Sequence, residues 1–80
     1  MELRAIKSKF NNGRINNAAV VRKRESRILG GHFYFVVIFF DGQQQIELTR
    51  QRGGIRPFVE LYSAANVIEK VGLKNFLVTL

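Results

Sequence analysis

Two groups of basic side chains have the types and spacing that suit binding to an anion. The first is a dense run in the N-terminal half of the chain, and the second surrounds Gly53 and Gly54. Arginine binds two phosphate oxygens at once through its forked guanidinium, and glycine lets a backbone approach a phosphate closely. We therefore predict that both groups contact nucleic-acid phosphates. The first group is Arg22, Lys23, Arg24 and Arg27, and the second is Arg50, Arg52 and Arg56.

The second group has the simpler predicted geometry. Arg50 and Arg52 are expected on one side of an extended strand, with Arg56 just beyond the glycine pair, and few acidic residues lie nearby in the sequence. Phosphate contacts of this kind supply affinity but no choice of sequence. For either group alone, the competing interpretation is a solvated surface that keeps the protein soluble.

Aromatic rings are the second requirement for binding single strands, because unpaired bases stack on exposed rings. Tyr34 and Tyr62 suit this role, since a phenol tolerates half exposure. If one face of the sheet is open, Tyr34 should lie on it near His32. The phenylalanines of the same apolar stretch are expected in the core. They are Phe33, Phe35, Phe39 and Phe40.

Catalysis has few candidate residues. His32 is the only histidine, and no side chain that would position it as a general base can be named. The serines lack a nucleophile motif, the carboxylates are scattered, and no phosphate-binding loop, dinucleotide fingerprint or metal-ligand spacing occurs. We predict that the protein is not an enzyme and has no metal, no cofactor and no small-molecule substrate. A small RNase-type toxin that uses His32 is the catalytic alternative.

The elements that position these residues are clearest after Gly30 and Gly31. Residues 32–40 are β-branched and aromatic with almost no polar face, which predicts a central strand covered on both sides. A helix should cover one side, and a partner subunit or the N-terminal segment the other. Asp41 and Gly42 then predict a hairpin turn into a half-solvated strand over residues 44–50, in which Ile46 alternates with polar neighbours.

The rest of the C-terminal part predicts a helix and one more strand. Pro57 marks the approach to an amphipathic helix with apolar residues three and four apart, and Gly72 should end it with a positive φ. Residues 76–80 alternate as a final strand. Residues 30–80 therefore read as a ββαβ core.

The basic N-terminal segment, residues 1–29, gives weaker signals. Residues 1–10 are interpreted as an edge strand, and residues 14–29 as a loop with a short strand around Val20. The predicted fold is α+β, with a small antiparallel sheet of three or four strands, one helix packed on one face, and the order β-β-β-α-β. The helix must pack on the sheet because nothing else can cover its apolar face.

Composition limits the class of protein. Eighty residues make one domain, and a formal charge of +7 with a pI near 10.6 favours nucleic acid as the partner. The chain has no cysteine, so self-association is the remaining way to bury more surface, and we expect a homodimer. The longest apolar run, residues 33–40, is too short to span a membrane, and we expect a cytoplasmic protein that does not bind membranes.

The C-terminal half also carries a resemblance. The residues concerned are Gln51, Arg52, Gly53, Gly54, Ile55, Arg56, Pro57 and Phe58, followed by Leu61, Ala64, Ala65, Ile68, Gly72, Phe76, Val78 and Leu80. In this pattern the chain resembles small partition-associated accessory proteins of plasmids and integrative elements. The resemblance implies a DNA-binding accessory in plasmid or mobile-element maintenance and assigns no catalytic residue. A sheet with one helix in a dimer is also similar in architecture to single-strand-binding coactivators, by analogy of fold alone.

Together these features predict a nucleic-acid-binding accessory protein that prefers DNA and has low sequence specificity. The competing hypothesis is a protein-interaction module that docks a partner through an exposed strand edge or an apolar sheet face.

Overall fold

A computed structural model describes residues 1–24 and 29–80 of the chain. Within these residues the fold is α+β, as predicted, with two α-helices, four strands and a short 3₁₀ turn at Leu29–Gly31. In chain order the elements are α1 (Leu3–Asn11), β1 (Asn17–Arg24), β2 (Phe33–Asp41), β3 (Gln44–Glu47), α2 (Leu61–Val71) and β4 (Leu77–Thr79).

The four strands form one mixed sheet in the order β3-β2-β1-β4. β2 pairs antiparallel with β1 on one side and β3 on the other, which confirms that it is central. β4 pairs parallel with β1, so the prediction of an antiparallel sheet is wrong. The reason is the connection: α2 carries the chain from one edge of the sheet to the other, and β4 then runs in the same direction as β3 and β1.

The hairpin between β2 and β3 matches the sequence signal. Asp41 faces Gln44 in the register, so a two-residue turn joins the strands, and its first residue, Gly42, has φ 63°. Ile46 is buried on the helix-covered face, as the alternation predicts. β3 ends at Glu47, however, and the extended strand expected as far as Arg50 does not form.

β1 is longer than the short strand predicted around Val20. Its eight residues pair with β2 along their whole length, from Asn17 opposite Phe40 to Arg24 opposite Phe33. The local sequence is polar and basic at both ends. Pairing with the strongly apolar β2 therefore decides its conformation, since strand preference depends on neighbours more than on the residues themselves.

The N-terminal segment is a helix, and the predicted edge strand is wrong. Leu3, Ile6 and Phe10 are three and four residues apart, which places them on one side of α1. Ile6 is fully buried in the core cluster, and the other two pack against it. α1 also contacts α2, so both helices cover the same face of the sheet. The prediction of a single helix is therefore wrong, and α1 does not cover the opposite face.

α2 begins at Leu61, three residues later than the apolar pattern suggests, and ends before Gly72. Gly72 has φ 124°, and its N–H donates to the carbonyls of Ile68 and Glu69, which confirms it as the end of the helix. A Cβ at this position would run into the ring of Phe10. Gly72 is therefore needed both for the backbone conformation and for the close packing of α1 against α2.

Candidate nucleic-acid interface

Strand direction brings most of the predicted site to one end of the sheet. β1 and β3 are both antiparallel to β2, so they finish at the same end. Both helices start there, because Glu2 bridges to Thr49 just beyond β3, and Phe58, shortly before α2, bridges to Phe35 near the start of β2. We call this the arginine end. Its basic residues are Arg4, Arg22, Lys23, Arg24, Arg50, Arg52 and Arg56.

The basic run of β1 divides between the two faces of the sheet. Arg22 and Arg24 lie on the same face of β1 as Val20, which the helices cover. Lys23 lies on the opposite face, because neighbouring strand residues alternate. The ammonium of Lys23 lies 3.8 Å from the carboxylate of Glu47. The run predicted as one group therefore supplies two arginines to one surface and a paired lysine to the other. Arg27 lies outside the described residues.

Arg22 and Arg24 are held against the ring of Phe33. Their Cζ atoms lie 4.5 and 5.5 Å from the ring centroid, and the Nε–H of Arg24 also donates to the carbonyl of Gly31 at 2.6 Å. The ring attracts both cations through its negative π face. Phe33 nevertheless keeps 51% of its surface exposed. We call Arg22, Arg24 and Phe33 the Phe33 platform.

Tyr34 does not have the half exposure that the sequence suggested. It is 1% exposed, so its ring is not available for stacking and this expectation is wrong. Phe33, assigned to the core from sequence, is the exposed ring instead. The two residues are neighbours on β2 and point to opposite faces, Phe33 to the face that carries the helices and Tyr34 to the other.

Two arginines of the second group, Arg50 and Arg56, line an open groove together with Arg4, which was not predicted. The groove has a volume of about 460 Å³ and lies where the start of α1 meets the segment after β3. We call it the arginine groove after Arg4, Arg50 and Arg56. The lining residues are Glu2, Leu3, Arg4, Thr49, Arg50, Gln51 and Arg56.

Residues 50–54 form a tight loop rather than an extended strand. The N–H of Arg50 donates to the carbonyl of Gly54, and the N–H of Gly53 donates to the carbonyl of Arg50, both at 3.0 Å. Arg52 is therefore exposed on the loop and does not share a strand face with Arg50. Arg56 is half-buried, with its Cζ 5.1 Å from the centroid of the Phe58 ring.

The arginine groove and the Phe33 platform lie on the same side of the molecule. Arg22 is opposite Phe35 in the sheet, and Phe35 is opposite Phe58, so these three side chains share one face. Two strand spacings, about 10 Å, separate the backbones of Arg22 and Phe58. Arg56 contacts the Phe58 ring from the groove side. The two arginine groups thus converge across a row of phenylalanine rings.

Within residues 1–24 and 29–80, few carboxylates lie against these arginines. Among the described residues, the ion pairs are Lys9 and Arg14 with Asp41, and Lys23 with Glu47. None of them includes an arginine of the groove or the platform. Glu2 does line the groove, where it faces three arginines. An anion that enters the groove therefore meets an excess of positive charge.

The opposite end of the sheet, where β2 finishes at Asp41, is arranged differently. We call it the Asp41 end. Arg14 binds the Asp41 carboxylate with both Nη2, at 2.9 Å, and Nε, at 3.4 Å, and Lys9 approaches to 3.4 Å. The hydrogen bond from Arg14 lowers the pKa of Asp41 below its ordinary value, and Lys9 adds to this, while burial acts in the other direction. Two cations at this end are thus occupied by one carboxylate.

The structure shows no metal-binding cluster in the parts of the chain that it describes. His32 is exposed between the 3₁₀ turn and β2. No group of three His, Cys, Asp or Glu residues within 1–24 and 29–80 could hold a metal ion. In the same residues, no helix has the length and apolarity to cross a membrane.

No family model, curated protein or solved structure matches the chain.

Two residues of the candidate interface escaped the sequence analysis. Arg4 was assigned to an edge strand, although the spacing of Leu3, Ile6 and Phe10 already indicates a helix that starts beside it. Phe33 was assigned to the core and shares a strand face with the buried Phe39, so strand alternation gives no signal that it is exposed. Arg50 and Arg56 were predicted, and the groove brings them together with Arg4.

Proposed function

We propose that this protein is a non-enzymatic nucleic-acid-binding accessory that binds DNA with little sequence preference through the arginine end. The observation that supports this most is the convergence of five arginines of the groove and the platform on one side of the sheet. Their members are Arg4, Arg22, Arg24, Arg50 and Arg56.

The chemistry is phosphate recognition by guanidinium groups. Each arginine offers several N–H donors in a plane, which suits the oxygens of a phosphodiester. The exposed loop with Arg52, Gly53 and Gly54 can approach a nucleic-acid backbone without side-chain obstruction from its glycines. Such contacts are made to phosphates that every sequence shares, so affinity is expected to depend on salt more than on sequence.

The test is a fluorescence anisotropy titration of labelled single-stranded and duplex DNA at about 50 and 200 mM salt. For three phosphates neutralised on a single strand, affinity should fall about 20-fold between these concentrations. Replacing Arg4, Arg50 and Arg56 by glutamine should weaken binding at the lower salt concentration. Absence of binding at 50 mM salt, or unchanged affinity in the triple variant, would contradict the proposal.

A protein-interaction module is the second candidate function, and the edge strand β4 favours it. Leu77 and Val78 are 62% and 42% exposed, and Leu80 just beyond is 74% exposed. An apolar edge strand is a template for pairing with another chain. A protein that binds no DNA at low salt, and that loses a protein partner when Leu77 and Val78 are replaced by lysine, would support this candidate over the first.

The wider role stays a prediction. Plasmid or mobile-element maintenance rests on the sequence resemblance, and the homodimer rests on the small size of the core that one chain can form. Light scattering of the purified protein at several concentrations tests the dimer directly, with a mass of twice 9.2 kDa as the expected result. A mass of one chain at all concentrations would contradict it.

A further inference from the structure

Among the rings that the structure describes, Phe33 alone combines a large exposed surface with guanidinium groups over it. Phe58, beneath Arg56, is only 8% exposed, and Tyr62 is 73% exposed with none of the described arginines against its ring. A single exposed apolar side chain is ordinary, but an exposed ring with guanidinium groups over it offers flat surfaces on which a base can stack. The hydrogen bond from Arg24 to the carbonyl of Gly31 also holds the Arg24 guanidinium in place.

We infer that the Phe33 platform stacks an unpaired base, so that the protein selects single-stranded over duplex nucleic acid. This inference rests on the proposed function. An aromatic ring and a guanidinium plane both present a flat surface on which any base can stack. In a duplex the bases already stack on one another, and their faces are not accessible.

The position of the arginine groove supports this assignment. The groove and the platform share one side of the sheet. The backbone of Arg22 in the platform lies about two strand spacings, roughly 10 Å, from that of Phe58, whose ring contacts Arg56 of the groove. A single strand whose phosphates bind the groove arginines can therefore turn a neighbouring base toward Phe33. A duplex bound by the same arginines gains nothing from the ring, because it can offer only its phosphates there.

The arginines of the platform have a second effect in this arrangement. The guanidinium groups of Arg22 and Arg24 lie over the ring, so a base can stack on a guanidinium plane as well as on free ring surface, and their N–H groups can bind the phosphate that flanks it. Stacking and phosphate binding then reinforce each other at a single nucleotide. Stacking depends on the π face that all bases share, so the preference is for unpaired structure and not for sequence.

The experiment compares Phe33→Leu with the wild-type protein on a single-stranded oligonucleotide and on a blunt duplex of the same sequence. Leucine keeps an apolar side chain but removes the flat ring. Loss of one stacked base should weaken single-strand binding about 10-fold and leave duplex binding within twofold. Tyr62→Leu removes the other exposed ring that the sequence suggested for stacking; because Tyr62 lies outside the platform, neither affinity should change by more than twofold. Thermal unfolding of each variant checks that it is folded.

The outcomes separate the two proposals. A selective loss of single-strand affinity in Phe33→Leu supports the stacking platform. If the wild-type protein binds both forms equally and Phe33→Leu changes neither, or if Tyr62→Leu loses as much as Phe33→Leu, the stacking inference is wrong and phosphate binding by the arginines still holds. If neither nucleic acid binds at low salt, the proposed function itself is contradicted.

Discussion

Both ends of the sheet carry basic residues, but the two ends use them differently. At the Asp41 end, Lys9 and Arg14 share one carboxylate, and the helices pack so closely that Gly72 touches Phe10. At the arginine end, the guanidinium groups lie against rings or around an open groove, and the ion pairs of the described residues leave them out. Net charge alone therefore does not locate a binding surface. The position of cations without a neighbouring carboxylate does.

The largest expected loss of stability is at Ile6 in α1, the helix that runs from the arginine end to the Asp41 end. α1 starts at the arginine end beside Thr49 and finishes at the Asp41 end, and its central residue, Ile6, is fully buried. Ile6→Ala should lower the free energy of unfolding by about 2–5 kcal/mol, because it leaves a cavity in the core. Denaturant unfolding measures this. Lys7→Ala, at the exposed neighbouring position, is the control and should stay within about 0.5 kcal/mol. A loss below about 1 kcal/mol for Ile6→Ala would show that α1 is not part of the core.

The second largest expected loss of stability comes from disturbing the close packing of α1 against α2 at the Asp41 end. Gly72→Ala should cost about 2–4 kcal/mol of unfolding free energy, since the new Cβ meets both an unfavourable positive φ and the Phe10 ring. Gly13→Ala is the matched control: its φ is 72°, but no atom lies within 4 Å of the new Cβ. It should cost only about 1–2 kcal/mol. Equal losses in the two variants, measured by denaturant unfolding, would contradict the close contact of α1 with α2.

The smallest expected effect on stability comes from the ion pairs of Asp41, and it is detected through the pH dependence of the melting temperature. The pKa of Asp41 is lowered in the folded protein, so its carboxylate stabilises the fold above its ordinary pKa, about 3.9. This contribution is lost as the pH falls below about 4. The melting temperature of the wild-type protein should therefore exceed that of Asp41→Asn at pH 7, and the gap should narrow between pH 5 and pH 3.

Glu69→Gln is the control for that titration. Glu69 is an exposed carboxylate of α2 that takes no part in the ion pairs of the described residues. Its replacement should leave a small difference in melting temperature that does not narrow in the same range. A gap for Asp41→Asn that is constant with pH would mean that the two cations do not stabilise the folded protein through this carboxylate.

The sequence predicted the elements whose signals are local. The apolar run of β2, the turn at Gly42 and the helix that ends at Gly72 are each determined by neighbouring residues, and the structure confirms them. α1 was missed because its three apolar residues lie among charges, and its burial depends on contact with α2, which is remote in sequence. The direction of β4 was also missed, since it follows from the path of α2 across the sheet.

The candidate site was predictable in composition but not in arrangement. Arg50 and Arg56 were named from their spacing about the glycine pair, yet their meeting with Arg4 requires the bridge between Glu2 and Thr49, which no local pattern reveals. Phe33 lies on the face of β2 that carries the helices and Tyr34 on the other face, yet Phe33 is the exposed ring and Tyr34 the buried one. Strand alternation alone therefore could not predict which of the two rings is exposed.

The most direct test of the arginine end compares two variants of equal net charge. One variant replaces Arg4, Arg50 and Arg56 by glutamine. The other replaces Lys9, Lys70 and Lys74, which lie toward the Asp41 end, also by glutamine. Each variant lowers the formal net charge of +7 by three. The slope of log affinity against log salt concentration is measured for a single-stranded oligonucleotide. We predict that the slope becomes shallower by about 2 in the arginine variant and barely changes in the lysine variant. Equal changes in both would show that net charge, and not the arginine end, governs binding.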